Sequence, residues 1–331
     1  MKTFLIQSII TMLILCSCSK EQESIRNKSH FSIHFLKDSL LKMEDIKNLD
    51  LSLLQLNPTP WLSASDIISY DFSSHIIYLK NSKNYYFSDS SSPFELPENF
   101  WHKPFVVVAN NKPCYVGYFY PSVCAKIPEG IYITDDYYIY NYADDILHIS
   151  NNVYRVCKSA DYPDIRNNLL IKDALIEDNI FSDGLEINID TVVVVVNSDT
   201  TIIKYTFSIT NNDKDNLYVL DPNLMDNKVF LFIKHKIISE YTCFSSNDHI
   251  VPITHNPFDN WNTAWFTKIE SKKSIIRTLS FKEYPPIYPG EYCCYLKFTS
   301  PFNIKKDERL LTDGRYWIGE ILSDMINIKI E

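Results

Sequence analysis

Residues 185–212, LEINIDTVVVVVNSDTTIIKYTFSITNN, decide the fold of the second half of the chain. Apolar and polar residues alternate in LEINID (185–190) and again in IIKYTFSIT (202–210), which is the pattern of a half-buried strand. The five valines 192–196 between them are too few to cross a membrane and long enough for a strand. The stretch therefore predicts two long strands joined by a short turn.

Strand patterns continue to the end of the chain at spacings typical of a β-sandwich, in LYVL, SIIRTLSF, GEYCCYLKF and RYWIGEIL. The segment TFSITNNDKDNLYVLDP (206–222) resembles the strand B to C region of immunoglobulin-like domains of bacterial surface proteins. The segment PGEYCC (289–294) resembles their tyrosine corner, with Tyr292 two residues before Cys294. The strand that should supply the disulfide partner has no Cys, and no Trp follows at the usual distance. The resemblance therefore implies an immunoglobulin-like sandwich over residues 185–331 and not a true immunoglobulin domain.

The first half mixes strand and helix signals. FSIHFL (31–36) alternates like a strand, the apolar spacing within 39–56 predicts a short helix, and FVVVA-NNKP-CYVGYF (105–119) predicts a hairpin. We predict a small α+β domain over residues 31–157. A helical pattern within 163–179 predicts a helical connector over 158–184.

The amino terminus resembles the signal of bacterial lipoproteins. Lys2 precedes a short apolar run, and the sequence Leu15-Cys16-Ser17-Cys18 resembles a lipobox with Cys18 at the lipidated position. This resemblance implies that residues 1–17 are a removed signal peptide, that Cys18 carries lipid, and that 18–30 form a polar tether. The following SKEQE (19–23) resembles the signal that exports Bacteroidota lipoproteins to the outer face of the outer membrane. We therefore expect a lipid-anchored protein of the cell outer membrane, with the membrane as its partner through that anchor.

The charge and the apolar pattern exclude other classes of protein. The formal net charge of −9 argues against a nucleic-acid partner. After the signal region, no apolar stretch reaches the ~20 residues that a membrane-spanning helix needs.

The cysteine count permits disulfides without defining them. Six cysteines follow Cys18, and an exported protein meets an oxidising compartment. The pairing is left open, and adjacent cysteines in a strand point to opposite faces, so at most one of the last two faces the core. The six are Cys114, Cys124, Cys157, Cys243, Cys293 and Cys294.

The chain carries no catalytic motif of the G-x-S-x-G, H-E-x-x-H, P-loop or G-x-G-x-x-G type. Two groups of polar residues could resemble a metal site or a hydrolase site, and we interpret both as polar loops and turns. We predict no enzymatic activity, no metal and no cofactor. The group that resembles a metal site is His249, His255 and Asp259. The group that resembles a calcium or glycoside-hydrolase site consists of the acidic pairs Asp135-Asp136 and Asp144-Asp145.

Aromatic residues are the most suggestive candidates for a site. Tyr138, Tyr140 and Tyr142 alternate in one segment, and Trp261 and Trp265 lie close together in another. Such rings can stack on sugars. Packing within the core or at a strand edge is the alternative for both groups, and it stays open at this stage.

Three classes of function remain. The leading hypothesis is a non-enzymatic lipoprotein that binds a glycan or a protein at the outer-membrane surface. The alternative is a structural subunit that resembles fimbrillin-type pilins, with Arg26 at a site for maturation and MINIKIE (325–331) as a donated or edge strand. A hydrolase that uses the carboxylates of residues 135–145 is the third and least favoured class.

Overall fold

The computed structural model describes residues 29–46, 49–87, 101–121, 130–134, 143–152, 164–239, 243–245 and 261–331. The protein is mostly β, with its strands in several sheets. The predicted signal peptide, Cys18 and most of the tether lie outside the described residues. Within the described ranges, no helix is both long enough and apolar enough to cross a membrane.

The first half builds one nine-stranded sheet, in the order β2-β1-β5-β6-β7-β8-β4-β3-β9. Within the described part of this half, three short helices accompany it: α1 (Met43–Ile46), α2 (Lys83–Phe87) and α3 (Leu169–Glu177). The strands are β1 (Phe31–Phe35), β2 (Leu62–Ser63), β3 (Ile67–Asp71), β4 (Ile76–Leu79), β5 (Pro104–Ala109), β6 (Lys112–Tyr120), β7 (Gly130–Thr134), β8 (Ile146–Asn152) and β9 (Phe181–Ser182).

The hairpin predicted at residues 105–119 is present as β5 and β6. The strands pair antiparallel, and Ala109 faces Lys112 across a two-residue turn. Asn110 and Asn111 in that turn have φ values of 48° and 61°. Asn tolerates this left-handed conformation better than most residues, and tight hairpin turns require it.

The helix that we predict within a connector belongs to the core of the first sheet. Asn168 caps α3 by accepting a hydrogen bond from Leu170 N at 2.9 Å. Ile171, Ala174 and Leu175 of α3 are fully buried in that core. The chain then enters β9, which pairs in parallel with β3. Helix α3 and β9 therefore belong to the first sheet and its core, because the apolar face of α3 packs on that sheet.

In the second half, the described residues form three sheets, ordered β10-β11-β16, β15-β12-β19-β18 and β14-β13-β17-β20, with β21 also paired to β17. Two short helices, α4 (Val229–Phe232) and α5 (Lys306–Arg309), lie between strands. The strands are β10 (Leu185–Val196), β11 (Thr201–Asn211), β12 (Leu217–Leu220), β13 (Ile233–Ile238), β14 (Cys243–Ser245), β15 (Phe266–Ile269), β16 (Ser274–Glu283), β17 (Gly290–Thr299), β18 (Leu310–Leu311), β19 (Gly314–Tyr316), β20 (Glu320–Leu322) and β21 (Ile326–Ile330).

Two local predictions for this half are confirmed. The alternation in β11 buries Ile203, Tyr205, Phe207 and Ile209 completely. The hydroxyl of Tyr292, near the start of β17, donates to the carbonyl of Tyr288 at 2.9 Å, which is the contact of a tyrosine corner.

The cysteines of β17 are both buried, on different sides of the strand. Cys294 belongs to the large core of the second half, whereas Cys293 donates from its Sγ to Asn327 Oδ1 at 3.2 Å. Of the other cysteines, Cys114 is half-buried, and Cys124 and Cys157 lie outside the described residues.

A largely buried arginine of β19 joins the two halves. The Nη2 of Arg315 donates to Asp71 at 3.2 Å, to Asp213 at 2.8 Å and to the hydroxyl of Ser182 at 2.7 Å. Asp71 and Ser182 belong to the first sheet, and Asp213 follows β11 in the second half. Burial alone would lower the pKa of Arg315, but Tyr78 and the two carboxylates raise it above its ordinary value. The guanidinium therefore stays charged between the two halves.

A second arginine repeats this arrangement beside the first. Arg309 of α5 forms a buried ion pair with Asp145, which precedes β8. The side chains of Arg309 and Arg315 both lie over the ring of Tyr78, at 4.6 Å and 5.7 Å from its centroid. Burial raises the pKa of Tyr78 to about 12, so the ring remains a neutral phenol between two cations.

We predict that Arg315→Met destabilises the protein by about 3–5 kcal/mol, because it leaves the buried carboxylates of Asp71 and Asp213 without their cation. Urea denaturation followed by circular dichroism measures this change. Lys329→Met is the control, since it removes an exposed pair with Glu331 and should cost less than about 1 kcal/mol. Equal losses in the two variants would show that the Arg315 contacts do not hold the halves together.

Candidate functional site

The outer face of the four-stranded sheet β15-β12-β19-β18 carries a row of side chains set by strand register. Tyr218 of β12 lies opposite Lys268 of β15 on one side and Tyr316 of β19 on the other. Phe266 lies two residues before Lys268 in β15, so it shares this face. The row brings together residues that are about 100 positions apart in sequence.

Four aromatic rings cover this part of the sheet, and we call them the aromatic face: Tyr218, Trp261, Phe266 and Tyr316. Ring centroids are 4.7 Å apart for Phe266 and Tyr316, and 5.8 Å apart for Tyr218 and Tyr316. Trp261 adds edge contacts to Phe266 at 5.9 Å and to Tyr316 at 6.2 Å. Phe266 and Tyr316 are buried, whereas Tyr218 and Trp261 remain partly exposed. The two exposed rings thus rest on a fixed aromatic base.

A polar cluster around Asp313 borders the aromatic face. The carboxylate of Asp313 accepts hydrogen bonds from the Tyr218 hydroxyl at 3.0 Å and from Lys268 Nζ at 2.8 Å. The amide of Asn216 donates to the Asp313 carbonyl at 2.7 Å. The Asp313 side chain is half exposed, so its remaining lone pairs can accept from a ligand.

The pKa values within this cluster follow from its hydrogen bonds. Donation from Lys268, and then from Tyr218, lowers the pKa of Asp313 below its ordinary 3.8. The same contacts raise the pKa of Tyr218 and of Lys268. At neutral pH the cluster therefore presents a carboxylate, a phenol and an ammonium group in fixed positions.

A groove of about 390 Å³ adjoins the cluster, between the turn at residues 214–216 and the hairpin of β18 and β19. At one end of the groove, the backbone of Gly314 lies close to that of Asn216. Glycine permits this approach, because a Cβ at position 314 would lie 2.5 Å from the carbonyl oxygen of Asn216. That carbonyl accepts a hydrogen bond from Arg315 N at 3.1 Å. One wall of the groove is therefore fixed by backbone contact with the other.

The structure separates the two tryptophans that the sequence analysis groups together. Trp261 joins the aromatic face. The ring centroid of Trp265 instead lies 6.4 Å from that of Phe232, and Lys228 Nζ lies 5.0 Å from the centre of the Trp265 ring. Tyr138, Tyr140 and Tyr142 lie outside the described residues, and so do Asp135 and Asp136.

The carboxylates and histidines considered for chemistry do not assemble in the described residues. Asp145 is buried in its ion pair with Arg309, whereas Asp144 is exposed in the turn before β8. His249, His255 and Asp259 lie outside the described ranges. Within those ranges, no group of three or more His, Cys, Asp or Glu side chains is placed to hold a metal ion.

Several residues of this site were not identified from sequence: Asn216, Tyr218, Phe266, Lys268, Asp313 and Tyr316. One signal was available, since Asp313-Gly314 is a turn dipeptide between two apolar segments. The parallel pairing of β12 with β19 brings the other residues of the site together, and no local sequence pattern predicts that pairing.

Comparison of the chain with models of known protein families and with curated proteins gives no match. The chemistry of the site therefore rests on its own geometry. Partly exposed rings, hydroxyl and amide donors, and a half-exposed carboxylate suit the binding of a polar ligand that also has an apolar face.

We predict that Tyr218→Phe raises the pKa of Asp313 toward 3.8, because the carboxylate loses one hydrogen-bond donor. A group whose pKa is lowered by folding contributes stability above its ordinary pKa, and that contribution is lost as pH falls through the folded-state pKa. The pH range to examine therefore lies below 3.8. A ¹³C NMR titration of the Asp313 carboxyl measures the effect, with Tyr288→Phe as a control at an exposed tyrosine elsewhere. An unchanged Asp313 titration in Tyr218→Phe would contradict the proposed cluster.

Proposed function

We propose that the protein is a non-enzymatic lipoprotein of the outer membrane, anchored through Cys18, and that its aromatic face binds a glycan or a protein at the cell surface. The aromatic face is the observation that carries this proposal. Two partly exposed rings, Tyr218 and Trp261, stand on two buried ones beside a groove of about 390 Å³. The volume of this groove lies within the range that small-molecule clefts of proteins have.

A glycan is the ligand class that fits best. The hydrophobic face of a pyranose ring stacks on exposed Trp and Tyr rings, while its hydroxyls need both donors and acceptors. The cluster provides donors from Lys268 and Asn216 and an acceptor in Asp313. The carboxylate of Asp313 is paired with Lys268, so this pair adds no net charge to the site. This balance favours a neutral saccharide.

We propose an immunoglobulin-like sandwich for residues 185–331 and an α+β domain for the first half. The tyrosine-corner contact of Tyr292 and the one-sided burial of β11 support the sandwich. The three helices that accompany the nine-stranded sheet support the α+β assignment.

The cellular location of the protein is proposed from its amino-terminal sequence. The Leu15-Cys16-Ser17-Cys18 segment supports lipidation, and SKEQE (19–23) supports transfer to the outer face. The first sheet begins at Phe31, so a tether over residues 18–30 would separate the fold from the lipid.

A pilin-like assembly subunit is the second candidate function. The alternating segment at residues 325–331 forms β21 at the edge of its sheet, where it pairs with β17. Ile330 is buried, while Ile326 and Ile328 are only partly buried. This edge strand is the observation that favours assembly.

For the binding function, we predict that Trp261→Ala and Tyr218→Ala each weaken saccharide binding about tenfold, since each removes a stacking surface. Affinity electrophoresis of the whole chain through gels that contain neutral or acidic polysaccharides measures this loss. Trp265→Ala is the matched control, because Trp265 is also half-buried and lies outside the aromatic face. Equal retention of all variants on every polysaccharide would argue against a glycan site.

For the cellular location, we predict that protease added to intact cells digests the wild-type protein, and that Cys18→Ala releases it from the membrane fraction. Cys16→Ala is the matched control and should remain anchored, since Cys16 lies in the removed signal. Protection from protease until the outer membrane is opened would place the protein on the inner side. Release by Cys16→Ala instead of Cys18→Ala would move the lipid to the other cysteine.

A further inference from the structure

Strand β10 changes character along its length. In its first part the pattern follows one buried face: Leu185 and Ile187 are buried, and Glu186 is exposed. From residue 192 to 196 every side chain is valine, so both faces are apolar. Val193 and Val195, on the solvent side, are 52% and 48% exposed. A strand that is apolar on both faces is typical of a site that is covered on both.

Among the described residues, no strand pairs with the outer edge of β10. Strand β10 pairs with β11 and lies at the end of the sheet order β10-β11-β16. It also approaches β17, β20 and β21 but pairs with none of them. Between Asp190 and Asn197 it contains neither Lys nor Pro, the residues that usually protect an edge strand from pairing with another chain.

The hydrogen-bond alternation of the hairpin identifies which residues face the open edge. Asn197 N donates to the Thr200 carbonyl at 2.8 Å, so these two form a hydrogen-bonded pair of the ladder. Such pairs alternate along antiparallel strands. Val192, Val194 and Val196 therefore direct their backbone N–H and C=O groups away from β11, toward the open edge.

We infer that two copies of this chain pair through β10, antiparallel and about a two-fold axis at Val194. This register places Val192 opposite Val196 of the second copy, and both belong to the set whose backbone groups face outward. On the solvent side it places Val193 opposite Val195 of the second copy. The three-stranded sheets of the two copies then become one continuous sheet.

A second copy fits this edge because the strand is self-complementary. The paired segment contains only valine, so no like charges oppose each other across the axis. On the solvent side, Val193 of one copy and Val195 of the other cover one another, which accounts for apolar side chains at these two positions. A two-fold axis also closes the assembly, since each strand uses its one open edge.

This inference is independent of the proposed glycan site, because the aromatic face lies on a different sheet. Sedimentation equilibrium of the whole chain carrying Cys18→Ala, in which no lipid can cause association, tests it. We expect a reversible dimer. Val193→Lys with Val195→Lys should weaken dimerisation about tenfold or more, because the paired register then sets like charges against each other.

Two further variants locate the contact and its register. Val193→Lys with Val195→Glu should restore the dimer, since the introduced charges are then opposite across the two-fold axis. Ile276→Lys is the matched control: Ile276 is 65% exposed on β16, at the other edge of the same sheet, and its replacement should leave the dimer intact. Thermal unfolding confirms that each variant is folded.

Four results would overturn the inference. The protein could be monomeric at every concentration, or Ile276→Lys could disrupt the dimer as strongly as the paired lysines. The variant Val193→Lys with Val195→Glu could also fail to restore the dimer. An open-ended ladder of larger species would likewise exclude the closed two-fold contact.

Discussion

The structure depends on a largely buried cation, the guanidinium of Arg315. A desolvated arginine is stable only beside carboxylates, and here they come from both halves: Asp71 at the end of β3 and Asp213 after β11. Neither carboxylate has another cation within ion-pair distance among the described residues. The three elements that carry these groups are therefore held in one arrangement. Strand β19, which carries Arg315, then pairs in parallel with β12 and so completes the aromatic face.

The segment from α5 to β19 consequently has two roles. On its inner side, Arg309 and Arg315 reach into the first half and enclose the Tyr78 ring. On its outer side, the same residues 310–315 form a wall of the groove, and Asp313 organises the polar cluster. A binding site gains affinity when its groups are fixed before the ligand arrives. Here the groups that would contact a ligand are fixed by the contacts that join the two halves of the protein.

Sequence patterns predict the local elements and not the long-range pairings. The hairpin β5–β6, the one-sided β11 and the Tyr292 contact all depend on residues within a few positions of each other, so composition and periodicity identify them. The place of α3 in the first core depends on its packing against β1 and β5, far away in sequence. The site was predicted only in part for the same reason. Trp261 was identified as an aromatic candidate, but Tyr218 and Tyr316 meet it only through the parallel pairing of β12 with β19.

The valine segment shows how a local pattern can carry information about assembly. Alternation in residues 185–190 matches a strand with one face in the core, and the structure buries that face. The segment 192–196 breaks the alternation, yet its fold within a single chain still leaves one face in water. Packing within the chain therefore explains the partial burial of Val192 and Val194 and leaves the outward pair, Val193 and Val195, unexplained. A second copy at this edge would bury that pair, and it would also place two aromatic faces in one particle. Two weak saccharide contacts that act together bind repeated glycans far more tightly than either alone. Dimerisation through β10 would thus raise the affinity of a shallow surface site without any new contact to the ligand.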